Sequence, residues 1–176
     1  MITAICHRLC ALSRLAAGLL LFAALAHQAE ARATVRAMTG RTLDRAAVGR
    51  TLPQASLGDV LYAEVNSEWL AAFYRTYRAE LSRMGVVKWS DRYDCRRFAG
   101  FFTELAQNHF FNQAFQSNIP AHTLALGPVW YQKADGKGHA IVVALTERGA
   151  VYLDPQNGQE LHLTATERAS IYFAVM

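Results

Sequence analysis

Cysteine is scarce in this chain: three among 176 residues, two of them within the first ten. That is too few for the disulfide lattice of a small secreted scaffold. Proline (4) and glycine (11) are also sparse, which excludes collagen-like and low-complexity classes. Charged residues make up only 18% against 52% hydrophobic, so the chain has enough apolar surface to fold. There are no internal repeats and no heptads, and Gly136-Lys137-Gly138 lacks the flanking glycine and hydroxyl residue of a phosphate-binding loop. His109, His122 and His162 have no metal-ligand spacing. What remains is length for one globular domain behind an N-terminal segment of different character.

That segment has three parts. His7, Arg8 and Arg14 give a positively charged start, Leu15 to Ala26 is an unbroken apolar run of twelve residues, and Ala29-Glu30-Ala31 and Ala31-Arg32-Ala33 are overlapping A-x-A patterns. This is the layout of a secretory signal peptide over residues 1–33, cut after Ala31 or Ala33. The apolar run falls short of the ~20 residues that cross a bilayer, so no stable membrane anchor is expected. Export implies a periplasmic or secreted protein. Cutting after Ala33 leaves 15 basic and 13 acidic residues, a net charge of +2, and a nucleic-acid partner loses its main support. It also leaves Cys95 as the only cysteine, a thiol without an intrachain partner.

Residues 34–60 are basic and broken by Gly40, Gly49 and Pro53, and read as an N-terminal arm. A single domain over 61–176 follows. Trp69, Leu70, Phe73, Tyr74, Tyr77, Leu81 and Met84 recur at helical spacing, with Asn66 or Ser67 as cap and Gly85 as stop. A second helix begins after Asp94, whose carboxylate caps the first turn, and Phe98, Phe101, Phe102, Leu105, Phe110 and Phe111 form its broad aromatic stripe. Strands follow over 123–132, 139–146 and 150–154, with a turn at 133–138, a short strand from Gln159, a capping box at Thr164 and Glu167, and a last strand over 171–175. The 139–146 strand is expected to alternate. Helices first and hairpins afterwards predict an α+β fold, N-terminal helices packed on an antiparallel sheet.

Three residues then stand out. Cys95 sits at the first position of a helix, where the dipole favours a thiolate. His139 opens one strand, and Asp154 closes the next strand of the same predicted hairpin, so the two lie at one end of it. Nucleophile, base and orienter in this order permit a Cys–His–Asp triad. Each also has a plainer reading: a buried inert thiol, a structural histidine on the face of Ile141, Val143 and Leu145, and a strand terminator before Pro155. A zinc site from the same three is chemically possible and ranks below the triad.

Tyr93-Asp94-Cys95-Arg96-Arg97-Phe98-Ala99, Gly138-His139-Ala140 and Tyr152-Leu153-Asp154-Pro155-Gln156 resemble the bacterial transglutaminase-like cysteine proteinases of the papain-like/transglutaminase-like superfamily. The resemblance spans roughly Trp89 to Gly158. It implies Cys95 as nucleophile, His139 as general base and acid, and Asp154 as orienter of the imidazole. The Cys95 N–H would stabilise the oxyanion, with support from Gln156 or Trp89. Arg96 and Arg97 depart from the pattern, since the family often has acidic residues there, and substrate identity therefore does not transfer. The expectation is an exported thiol hydrolase acting on a peptide, isopeptide or amide bond of a protein or peptide substrate of the cell envelope, through a thioester and without cofactor or metal. The alternative is a catalytically silent transglutaminase-like binding or accessory module in the periplasm.

Overall fold

The computed structural model describes residues 35–176, and the expected signal segment lies outside them. The described residues form nine strands and four helices. In order they are β1 (Met38–Asp44), α1 (Arg45–Thr51), β2 (Ala55–Ser56), β3 (Leu61–Val65), α2 (Ser67–Arg83), α3 (Cys95–Ala114), β4 (Thr123–Leu124), β5 (Leu126–Gln132), β6 (Gly138–Thr146), β7 (Gly149–Asp154), β8 (Gln159–Leu161), α4 (Ala165–Ala169) and β9 (Phe173–Val175).

Both long helices start and stop where local chemistry says they should. The Asn66 side chain accepts from the N–H groups of Glu68 and Trp69, and α2 buries Trp69, Leu70, Phe73, Tyr77 and Leu81. Gly85 ends it in the left-handed region (φ 76°), which lets Val86 N–H reach back to the Leu81 carbonyl. Asp94 caps α3 through the N–H groups of Arg96 and Arg97. Phe98, Phe102 and Phe110 are fully buried along α3, each contributing roughly 1.5–3 kcal/mol relative to exposure. Thr164 and Glu167 form the expected capping box of α4.

The sheet differs from expectation in three respects. It is mixed and curled, not antiparallel: β3 runs parallel to β4 and to β6, and β2 runs parallel to β9. Its order is β1–β3–β6–β5–β9–β2, with β7 and then β8 on the other edge of β6. Secondly, the helices do not come first. The segment read as an arm supplies β1, α1 and β2, and β1 pairs antiparallel with β3. Glu64 of β3, buried, accepts from Thr39 Oγ1 at 2.8 Å and pairs with Arg41 at 3.2 Å, fastening β1 in place. Thirdly, the stretch read as one strand over 123–132 divides at Ala125, which donates to the Ala63 carbonyl and accepts from Leu145 N–H.

β6 is the hub, paired with β5 over Gly138–Ala144 and with β7 over Val142–Thr146. It does not alternate: Ala140 to Thr146 are all buried. One face carries Ile141, Val143 and Leu145, which cluster with Val129, Tyr131 and Tyr152, with Val48 and Leu52 of α1, and with Leu163 and Ile171. Pleat alternation puts Ala140, Val142 and Ala144 on the other face together with Val151 and Leu153. The α2 side chains Leu70, Ala71 and Tyr74 line a cleft with Val151 and Leu153, and α3 packs on β5 and β6 without entering the first cluster. Small side chains on that face allow the helix to lie close.

Gly127 of β5 marks another close approach. A Cβ there would stand 1.7 Å from the Val175 carbonyl oxygen, so β9 can seat only against a glycine. Gly127→Ala is expected to cost about 1–3 kcal/mol by overpacking, read as a lower urea midpoint at unchanged slope.

Candidate functional site

The site candidates gather where β6 begins and β7 ends. His139 and Asp154 lie on neighbouring strands; with Val142 opposite Leu153, the pair is diagonal on one face. His139 Nε2 and Asp154 Oδ2 are 3.1 Å apart, and both side chains are about nine-tenths buried, at 11% and 12% exposure. An ionised carboxylate only accepts, so Nε2 carries the proton; in the neutral ring Nδ1 is then an acceptor. Asp154 also accepts from the backbone N–H of Gln156 at 2.9 Å. Burial acts first on this carboxyl and pushes its pKa up. The His139 hydrogen bond, the Gln156 N–H and the charges of His139 and Lys133 outweigh that, and it ends below its usual value.

Cys95 occupies the first turn of α3 and is half-buried. Among the described residues no hydrogen bond joins its thiol to His139. His139 shares its face of β6 with Ile141, and Cys95 opens α3, which packs on β5 and β6. Gln156 contributes its backbone N–H to Asp154, and Trp89 is 53% exposed in the connection between α2 and α3. Asp94 holds Arg96 by a hydrogen bond and by charge, raising its pKa, and Cys95 and Tyr172 act in the same direction.

Two aromatic neighbours escaped the sequence reading. Tyr131 sits directly opposite His139 in the β5–β6 ladder, its ring edge-on at 6.0 Å between centroids. A turn drawn over 133–138 would put Gln132 there, and the true register places Gln132 opposite Gly138. Tyr172, exposed, brings its hydroxyl within 3.5 Å of where a Gly138 Cβ would stand. Its signal in the sequence was only an aromatic inside a predicted terminal strand. The described residues hold no cluster of three or more histidine, cysteine or acidic side chains able to bind a metal ion.

No family model matches the chain, and no curated protein matches it. Solved structures do. One, described as the PSL1a-E64 complex, is 20% identical with a TM-score of 0.57, over 77% of this chain and 51% of that one. Another is the Polyporus squamosus lectin bound to the human-type influenza-binding epitope Neu5Aca2-6Galb1-4GlcNAc, 21% identical with a TM-score of 0.58, over 77% of this chain and 49% of that one. The chain thus spans about half the length of the chains it matches, and at this identity the likeness is one of fold.

These comparisons overturn the resemblance and what was drawn from it. Where a transglutaminase-like proteinase was expected, the similar structures include a sugar-bound lectin. The papain-like/transglutaminase-like fold class, the thiol hydrolase with its thioester, and the peptide substrate are corrected on that finding.

The depressed Asp154 pKa has a consequence for stability. A group lowered in the folded state stabilises fully above its unfolded value of about 3.9, and that stability is lost as pH falls through the lower folded value. Asp154→Asn is expected to remove about 1.5–3 kcal/mol at neutral pH. Below about pH 4 the variant should lose less further stability than the parent, as read by urea unfolding across that range.

Proposed function

We propose that this chain is an exported carbohydrate-binding protein whose site is the rim formed by Tyr172, Arg96, His139, Asp154 and Gln156. The observation that carries the reading is an exposed aromatic ring beside polar groups held on strands, in a fold shared with about half of a lectin chain. A sugar presents an apolar C–H face and a fringe of hydroxyls. An exposed tyrosine can take the first, and fixed donors and acceptors take the second. Arg96 adds a cation for an acidic sugar such as the one that ends the lectin's epitope. Export rests on the N-terminal layout, which is the support for a periplasmic or secreted location. The binding half of the earlier alternative is kept and its transglutaminase-like scaffold is not.

Calorimetric titration with Neu5Aca2-6Galb1-4GlcNAc should show binding with Kd on the order of 0.1–1 mM, a range suited to a small rim. Tyr172→Ala should weaken it about tenfold, equivalent to roughly 1.4 kcal/mol. Removing the acidic sugar from the ligand should reproduce the effect of Arg96→Ala. Binding that is absent, or indifferent to both substitutions, overturns the reading.

A second ligand is favoured by the other similar structure, which holds E64. Cys95 directly precedes Arg96 of the rim in the first turn of α3, so native mass spectrometry is expected to show one E64 per chain, lost in Cys95→Ser. Retention of E64 by that variant would place the ligand elsewhere.

A further inference from the structure

Trp89 is left without a role by the rim. It lies in the connection between α2 and α3 with two other apolar side chains turned to solvent: Met84 is 49% exposed, Val87 67% and Trp89 53%. Three such residues within six positions form an apolar crest on an otherwise strongly charged stretch. Residues 75–97 carry seven basic and three acidic side chains, while the rest of the described chain carries eight basic and ten acidic. All the net positive charge of the described residues therefore falls within this segment.

Pairing sharpens the contrast. Glu80 is taken by Arg83, and Asp94 by Arg96. Arg78 donates to the Val87 carbonyl, which ties the connection to α2. Among the described residues Arg75, Lys88, Arg92 and Arg97 are exposed and have no acidic partner. Unpaired cations thus stand on both flanking helices and within the connection itself, where Asp91 is the one exposed acid.

We propose that the α2–α3 connection docks reversibly on an anionic lipid bilayer. Tryptophan is amphipathic and settles at the level of lipid headgroups, with its ring in the acyl boundary and its N–H in the wet layer. Methionine and valine add apolar area at the same depth, and the surrounding arginines and lysine meet anionic headgroups. A soluble polyanion would satisfy the cations but would leave the crest in water, so lipid accounts for both halves of the surface. No helix among the described residues is long and apolar enough to cross a membrane, and the contact is therefore peripheral.

The test is co-sedimentation of the protein with phosphatidylcholine vesicles, with and without phosphatidylglycerol, combined with tryptophan emission. Binding to the anionic vesicles only, falling with added salt and accompanied by a blue shift, is expected. Trp89→Ala should lower partitioning at least tenfold and abolish the blue shift, although it leaves the net charge unchanged. A Lys88→Glu, Arg92→Glu double variant should lower partitioning further and flatten its salt dependence. All three residues are exposed, so unchanged thermal unfolding will show that the variants fold. Three results overturn the proposal: equal binding to both vesicle types, partitioning indifferent to Trp89→Ala, or complete displacement by dextran sulfate at matched charge.

Discussion

The double burial of β6 is the constraint on which the rest of this structure depends. A strand apolar on both faces must be covered twice, once by α3 and once by the cluster that includes α1 and the segment around Leu163 and Ile171. Neither cover is optional, since exposing either face would put Ile141 and Val143, or Val142 and the alanines beside it, into water. The same constraint decides where polar chemistry can lie. Inside β6 there is no room for an unpaired polar ring, and only at its first turn of pleat can His139 reach both a buried carboxylate and the surface. The candidate site is at the strand's end because the strand's middle is closed to it.

Local features of the fold were legible in the sequence and distant ones were not. Asn66, Asp94, Gly85 and the Thr164–Glu167 pair each settle a helix end through hydrogen bonds a few residues long, and their types announce it. The parallel pairings of β3 with β6 and of β2 with β9 join segments distant in sequence, and no local pattern specifies them. β6 was misread for a related reason. Its alanines alternate with larger side chains, which imitates a half-exposed strand, yet they are small because a helix lies on them. Residues 34–60 read as an arm because their apolar positions, Val48 and Leu52 among them, are too few to show a period.

The site was legible in one pair, and among the described residues no hydrogen bond joins Cys95 to it. His139 and Asp154 follow from a hairpin, which needs only adjacent strands and a short turn. Where the first turn of α3 comes to lie depends on packing across the whole sheet, and no pattern near Cys95 states it. The motifs that carried the resemblance also have ordinary structural origins. Asp94 caps a helix, Gly138-His139 leaves a turn, and Asp154 closes a strand by accepting from Gln156 while its carbonyl takes the N–H of Gly158. Gly158 in turn packs against the Tyr74 ring of α2, so the carboxylate of the pair is held by a turn that α2 itself braces.

The pairing of β2 with β9 bears on how the chain reaches this state. It joins Ala55 to Ala174 and Ser56 to Val175, and Met176 closes it by donating to the Ser56 carbonyl and accepting from Gly58. A chain made or exported from its N-terminus therefore holds β2 unpaired through most of its emergence. Contacts of such wide sequence separation form late, and an edge left open meanwhile can recruit another chain. Closure of the sheet at β9 thus waits on a strand more than a hundred residues away from β2, and until it arrives nothing covers the edge that β2 presents.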